Sequence, residues 1–126
     1  TGTVVTTAQC LLNPNRNPGL GQEAIEMLLR SDLGFDRVVW LGEGLLNDHT
    51  DGHVDNLARF VAPGVVAIPE AADNDPNWLV YQHAARDARA GGLEVVGIPS
   101  PGRILRDEEM VPASYMNFYI GNAAVV

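Results

Sequence analysis

A chain of 126 residues, 46% of them apolar, has enough material for one domain with a real core. Sixteen acidic side chains stand against eight basic ones, all of them arginine, and the net charge of −8 disfavours nucleic acid and favours cationic small molecules or basic partners. No apolar run approaches the ~20 residues a membrane helix needs, no basic-then-apolar leader opens the chain, and the single Cys10 cannot form an internal disulfide, so a soluble, cytoplasmic protein without membrane attachment is expected.

Taken in order, the β-branched run Gly2 to Thr7 predicts a strand, and Cys10 to Pro18, with two prolines and three asparagines, predicts an irregular polar connection. Cys10, beside two leucines, reads as a buried small hydrophobe, and Arg16 as a donor to nearby loop carbonyls. Gln22 to Arg30 places Ile25, Leu28 and Leu29 on one helical face, and Gly34 supplies the stop. Arg37 to Leu41 is an apolar strand. Asn56 to Val61 and Val65 to Ile68 read as strands joined through Ala62-Pro63-Gly64. A second helix is expected over Asn77 to Ala90, capped by Asp75 and lined on one side by Trp78, Tyr81, Ala85 and Ala88, with Gly91-Gly92 ending it. Leu93 to Ile98 is a further apolar strand, Arg103 to Met110 a charged surface stretch, and Ser114 to Ile120 with Ala123 to Val126 a closing hairpin.

Chemistry concentrates between Leu41 and Asn56, where Glu43, Asp48, His49, Asp51, His53 and Asp55 lie between two apolar segments. In an extended Gly52 to Asn56, residues two apart share a side, so His53 and Asp55 would face one pocket. A carboxylate can grip a guanidinium through parallel hydrogen bonds and an imidazole moves protons near neutral pH, so the pair points to guanidinium chemistry. A metal site is the rival reading. His49 and His53 have helical spacing, but Thr50, Asp51 and Gly52 disfavour a helix. The calcium-loop template puts Ala58 where a bidentate Glu is needed. No metal and no cofactor is expected.

The elements also repeat. Val5 and Val66 lie 61 residues apart, Val66 and Val125 59, and Val39 and Val96 57. A strand-strand-helix-strand unit of about 60 residues therefore occurs about twice, with boundaries near 1–56 and 57–120, as in a radial or stacked array. Open strand edges at both ends of such an array lead us to expect self-association, a dimer or a higher homo-oligomer.

Leu46 to Asn56, Thr6-Thr7-Ala8-Gln9-Cys10-Leu11-Leu12-Asn13-Pro14-Asn15-Arg16-Asn17-Pro18 and Ala113-Ser114-Tyr115-Met116-Asn117-Phe118-Tyr119-Ile120 together resemble agmatine deiminase, a relative of the bacterial peptidyl-arginine deiminases. The resemblance implies an α/β pentein fold, five such units around a pseudo-fivefold axis, of which residues 1–126 are a single partial domain of about two units. It implies a hydrolase of a guanidinium C–N bond, converting agmatine to N-carbamoylputrescine and ammonia on the way to putrescine, or acting on peptidyl arginine. By resemblance His53 is the general acid/base and Asp55 the carboxylate that holds the guanidinium, with Asp51 and Asn56 in support. The family nucleophile is a cysteine in a Gly-rich segment near the C-terminus of the full-length enzyme, which is not among these residues; Cys10 matches a different cysteine, in the Cys-Leu-Leu-Asn-Pro motif. The expectation is an internal fragment, about a third of such an enzyme and inactive alone. The alternative is a non-catalytic stand-alone domain that self-associates or binds cationic ligands.

Overall fold

The computed structural model describes residues 2–126; Thr1, where the first expected unit begins, lies outside the described residues. Strand β1 (Thr3–Thr7) runs straight into a short helix α1 (Ala8–Leu11), followed by α2 (Gln22–Leu33) and β2 (Arg37–Leu41). After a long loop and a 3-10 turn (Val54–Asn56) come β3 (Arg59–Ala62), β4 (Val65–Glu70), α3 (Trp78–Ala90) and β5 (Glu94–Pro99). A small hairpin of β6 (Leu105–Arg106) and β7 (Glu109–Met110) completes the regular structure.

The strands form two principal sheets. β1 pairs in parallel with β2, from Thr3 opposite Arg37 to Thr7 opposite Leu41. In the second sheet β4 is central, antiparallel to β3 and parallel to β5. Within β3, β4, α3 and β5 the order is therefore strand, strand, helix, strand. β1 occupies the position in its sheet that β4 occupies in the other, but its second edge carries no strand among the described residues.

Helix α3 joins the two sheets. Its buried residues Val80, Tyr81, Ala84 and Ala88 recur at helical spacing and meet Val39 and Leu41 of β2, Val66 and Ile68 of β4, and Leu45, Leu57 and Leu93 in one core. Trp78, expected on that face, is 53% exposed. At 3.6 residues per turn it sits roughly 105° from the centre of the buried stripe, while Ala84 and Ala88 lie within about 25° of it. In α2 only Ile25 is buried and Leu28 is 43% exposed, so the face expected from Ile25, Leu28 and Leu29 is covered in part. The helix runs to Leu33, one turn beyond the expected end, and stops at Gly34. Gly34 has φ 72°, and its N–H bonds the Arg30 carbonyl while the Phe35 N–H bonds that of Leu29.

Three further expectations change. Cys10 and Leu11 are helical rather than part of an irregular connection, because the Thr7 hydroxyl caps α1 by accepting the Cys10 N–H at 3.3 Å. β3 begins at Arg59 and not at Asn56, since residues 54–56 close a helical turn. The closing hairpin shrinks to a bridge between Ile120 and Val125, because Ser114 to Phe118 spend their polar groups on tertiary contacts instead of a ladder. The charged stretch from Arg103 is on the surface, and its β6–β7 turn places Asp107 and Glu108 at φ 51° and 68°.

Candidate functional site

The polar loop leaves the end of β2 and is tied at once to the end of β1. The Gln9 N–H donates to the Gly42 carbonyl at 3.1 Å, and the Gln9 Oε1 accepts the Gly44 N–H at 2.9 Å. Thr7, fully buried, caps α1 and also donates its hydroxyl to the Gly52 carbonyl at 2.6 Å. Gly52 has φ 67°, which favours glycine, and a Cβ there would lie 2.2 Å from Gln9 Oε1, so a larger residue would displace the Gln9 side chain from Gly44. Leu45 and Leu57, 2% and 0% exposed, anchor the two flanks of the loop in the core.

Asp48 organises what lies between. Its Oδ1 accepts the Thr50 amide at 2.9 Å and the Thr50 hydroxyl at 2.6 Å, and its Oδ2 accepts the His53 amide at 3.1 Å. Partial burial alone would raise the Asp48 carboxyl. The hydrogen bonds from Thr50 and His53, with the nearby imidazole, outweigh that and hold it below the usual carboxylate range. Arg16 donates to the Thr50 carbonyl at 3.3 Å, the loop-carbonyl role expected of it. Glu43 and His49 point to solvent, and Asp51 is half-buried with φ 66°.

His53 and Asp55 do not share the side of an extended segment. His53 is extended (φ −58°, ψ 141°) but caps the 3-10 turn Val54–Asn56, which contains Asp55. At about three residues per turn, positions two apart diverge. Their surroundings differ accordingly. His53 Nε2 is buried and has no hydrogen-bond partner among the described residues. Asp55 borders a cavity of about 490 Å³ walled by Val4, Val5, Val54 and Phe60, with Arg59 and Tyr119 at its margin. Among the described residues the ion pairs are Glu26 with Arg30 and Arg86 with Asp87, and neither involves Asp55. No three His, Cys, Asp or Glu side chains of the described residues gather closely enough to hold a metal ion.

Two residues outside the expected set, Asn117 and Ser114, reach this site from far along the chain, and the neighbouring Arg59 holds their segment. The Asn117 amide nitrogen donates to Asp55 Oδ2 at 3.2 Å, the Ser114 hydroxyl donates to the Asn56 carbonyl at 2.6 Å, and Arg59 Nε donates to the Met116 carbonyl at 2.8 Å. Asn56 thus contributes a backbone anchor. Cys10 is buried at the start of the same region. Burial pushes its thiol pKa up, Asp51, Asp48 and Asp55 act in the same direction, and Arg16 opposes them without prevailing.

A sequence profile of the Porphyromonas-type peptidyl-arginine deiminases matches residues 1–126. The agmatine deiminase of Stutzerimonas stutzeri is 43% identical over 150 residues, covering 99% of this chain and 41% of that protein. Among solved structures, a cysteine-to-serine C. jejuni agmatine deiminase with substrate bound superposes with a TM-score of 0.89 at 32% identity, over 98% of this chain and 38% of that one. The agmatine deiminase of Enterococcus faecalis gives 0.88 at 36% identity, over 99% and 41%. The chain spans about two fifths of the length of these relatives, and its α/β fold is the corresponding part of their pentein-type propeller. With the whole chain matched by the profile and its fold by solved relatives, this protein belongs to the Porphyromonas-type peptidyl-arginine deiminase family.

Proposed function

We propose that this chain supplies the acid–base and guanidinium-holding part of an agmatine deiminase, with His53 moving protons and Asp55 holding the guanidinium. The observation that carries the reading is the His53 Nε2, a buried nitrogen without a hydrogen-bond partner among the described residues, in the same loop as the Asp55 carboxylate, which forms no ion pair among those residues. An unsatisfied buried polar atom costs about 1–3 kcal/mol, which is understandable where a ligand completes it. The apolar walls beside Asp55 suit the alkyl chain of a guanidino compound, and the net charge of −8 favours a cation. Asp51 adds negative charge nearby, and Asn56 fixes the turn through its carbonyl.

In this reading a thiolate attacks the guanidinium carbon and ammonia leaves with a proton from His53. Water activated by His53 then hydrolyses the thiouronium, giving N-carbamoylputrescine and the free thiol. Cys10 does not fill the nucleophile's role, because it is buried and its thiol is held protonated. The thiolate comes from outside these residues, so the chain by itself binds without turnover. We also propose a homo-oligomer built through the edge of β1 that carries no strand among the described residues, in a reducing cytoplasmic setting.

Isothermal titration tests the reading. Agmatine should bind only weakly, because an exposed charge pair contributes about 0–1 kcal/mol, and Asp55→Asn should abolish binding. Ammonia release by the purified chain that disappears in Cys10→Ser would overturn the reading and make Cys10 the nucleophile.

A further inference from the structure

We propose, on the reading of His53 as the group that moves protons, that Asn77 is a positioning residue for the loop that carries it. Asn77 is 4% exposed and stands at the N-terminus of α3, and it reaches the loop from 31 residues away, its Oδ1 accepting the Leu46 N–H at 2.8 Å. An asparagine at that place ordinarily turns its oxygen to an N–H in the first turn of its own helix, and Asn77 makes no such bond. The helix forgoes a cap, and the loop gains an anchor.

Asn77 is itself fixed from the second sheet. Its N–H donates to Asp75 Oδ1 at 2.8 Å, and the other oxygen of that carboxylate accepts the Ser100 hydroxyl. Asp75 is 5% exposed and joins none of the ion pairs among the described residues, so hydrogen bonds are what compensate its burial. An ionised carboxylate only accepts. That commits the Ser100 proton to Asp75 and leaves the Ser100 oxygen to take the Ala72 N–H at 3.1 Å and the Gly102 N–H at 3.3 Å. The Ser100 N–H in turn donates to the Glu70 carbonyl at 2.8 Å. The ends of β4 and β5 and the start of α3 are thereby gathered around one buried carboxylate, and Asn77 extends that frame to the polar loop.

From Leu46 the constraint runs on to His53. Leu45 is 2% exposed, and its carbonyl accepts the Asp48 N–H at 3.2 Å, closing a turn over Leu46 and Asn47 in which Asn47 has φ 60°. Asn47 Nδ2 donates to the Met110 carbonyl at 3.1 Å, so one central residue of the turn is tied to α3 and the other to β7. The last residue of the turn is Asp48, whose Oδ2 holds the His53 N–H at 3.1 Å. On the other side Thr7, at the end of β1, fixes the Gly52 carbonyl at 2.6 Å. The imidazole therefore starts from a backbone held by β1 and, through Asn77, by α3.

Two variants of Asn77 separate loop positioning from helix capping. Asn77→Ala removes the oxygen altogether, whereas Asn77→Ser keeps a good helix cap with a hydroxyl one bond nearer the backbone, too short for Leu46. Both should move the His53 backbone amide signal in a 1H–15N spectrum, along with those of Leu46 and Asp48, and both should bind agmatine roughly fivefold more weakly. Thermal unfolding should set them apart, with Asn77→Ser the more stable. If Asn77→Ser binds agmatine like the unsubstituted chain and leaves the His53 amide signal unmoved, Asn77 is a helix cap only and the positioning role is overturned. An unsubstituted chain that binds no agmatine contradicts the proton-moving reading of His53 instead, and the His53 amide signal in the two variants still decides whether Asn77 holds the loop.

Discussion

The Asp48 carboxylate receives the backbone N–H of His53 at 3.1 Å through one oxygen and clasps Thr50 through the other, so a side chain five residues upstream determines where the imidazole begins. Removing it leaves three donors without their acceptor. Asp48→Ala should lower unfolding free energy by about 1–3 kcal/mol in urea denaturation. It should also weaken agmatine binding, because His53 loses its anchor.

The same carboxylate predicts an acid dependence. Its native pKa lies below the usual carboxylate range, so the stability it contributes is fully present above its unfolded value of about 3.9 and is lost as pH falls through the native value. The thermal midpoint should begin to drop as pH falls below about 4 and keep falling toward the native value. Asp48→Asn should flatten that slope; an unchanged slope would show that other carboxylates carry the acid sensitivity.

Alkaline pH tests the core. Burial, followed by the charge of Asp75, pushes the Tyr81 phenol up to about 12, with Ser100 acting against the shift. The unfolded phenol ionises near 10. Between those values the unfolded state releases the proton first, so stability falls as pH rises from about 10 to 12. Tyr81→Phe should remove this part of the pH dependence, as followed by circular dichroism.

Gly52→Ala should disrupt the loop more than an ordinary glycine substitution. The new methyl meets Gln9 Oε1 at 2.2 Å and the residue keeps φ 67°, so a cost of about 1–3 kcal/mol is expected from strain and lost hydrogen bonds. Thermal unfolding of Gly52→Ala beside Gly21→Ala, where a Cβ meets nothing within 4 Å, separates this cost from a general effect of alanine.

Much of the fold could be read locally, because its signals are local. Val38 to Leu41 and Val65 to Ile68 are apolar runs of strand length, and Gly34 and Gly91-Gly92 follow amphipathic segments directly. The differences arose where a side-chain cap, a short turn or a distant partner decided the outcome. Thr7 converts the start of the expected connection into α1, and the 3-10 turn at Val54 replaces the alternation assumed for His53 and Asp55. Asn117 is 62 residues from Asp55, and no periodicity links the two. Only the resemblance singled out the segment that carries it. Asp48 lay in plain view within the polar loop, but its role depends on the positive φ of Asp51 and Gly52, which folds the chain back so that His53 meets its carboxylate.

The most direct test of the central claim is a 1H–15N NMR titration of the His53 imidazole with agmatine. We predict that the Nε2 signal moves in a saturable way on addition of agmatine, and that the movement is absent in Asp55→Asn. A His53 signal that stays fixed while agmatine binds elsewhere, or that moves equally in Asp55→Asn, would contradict the assignment of this loop as the guanidinium site.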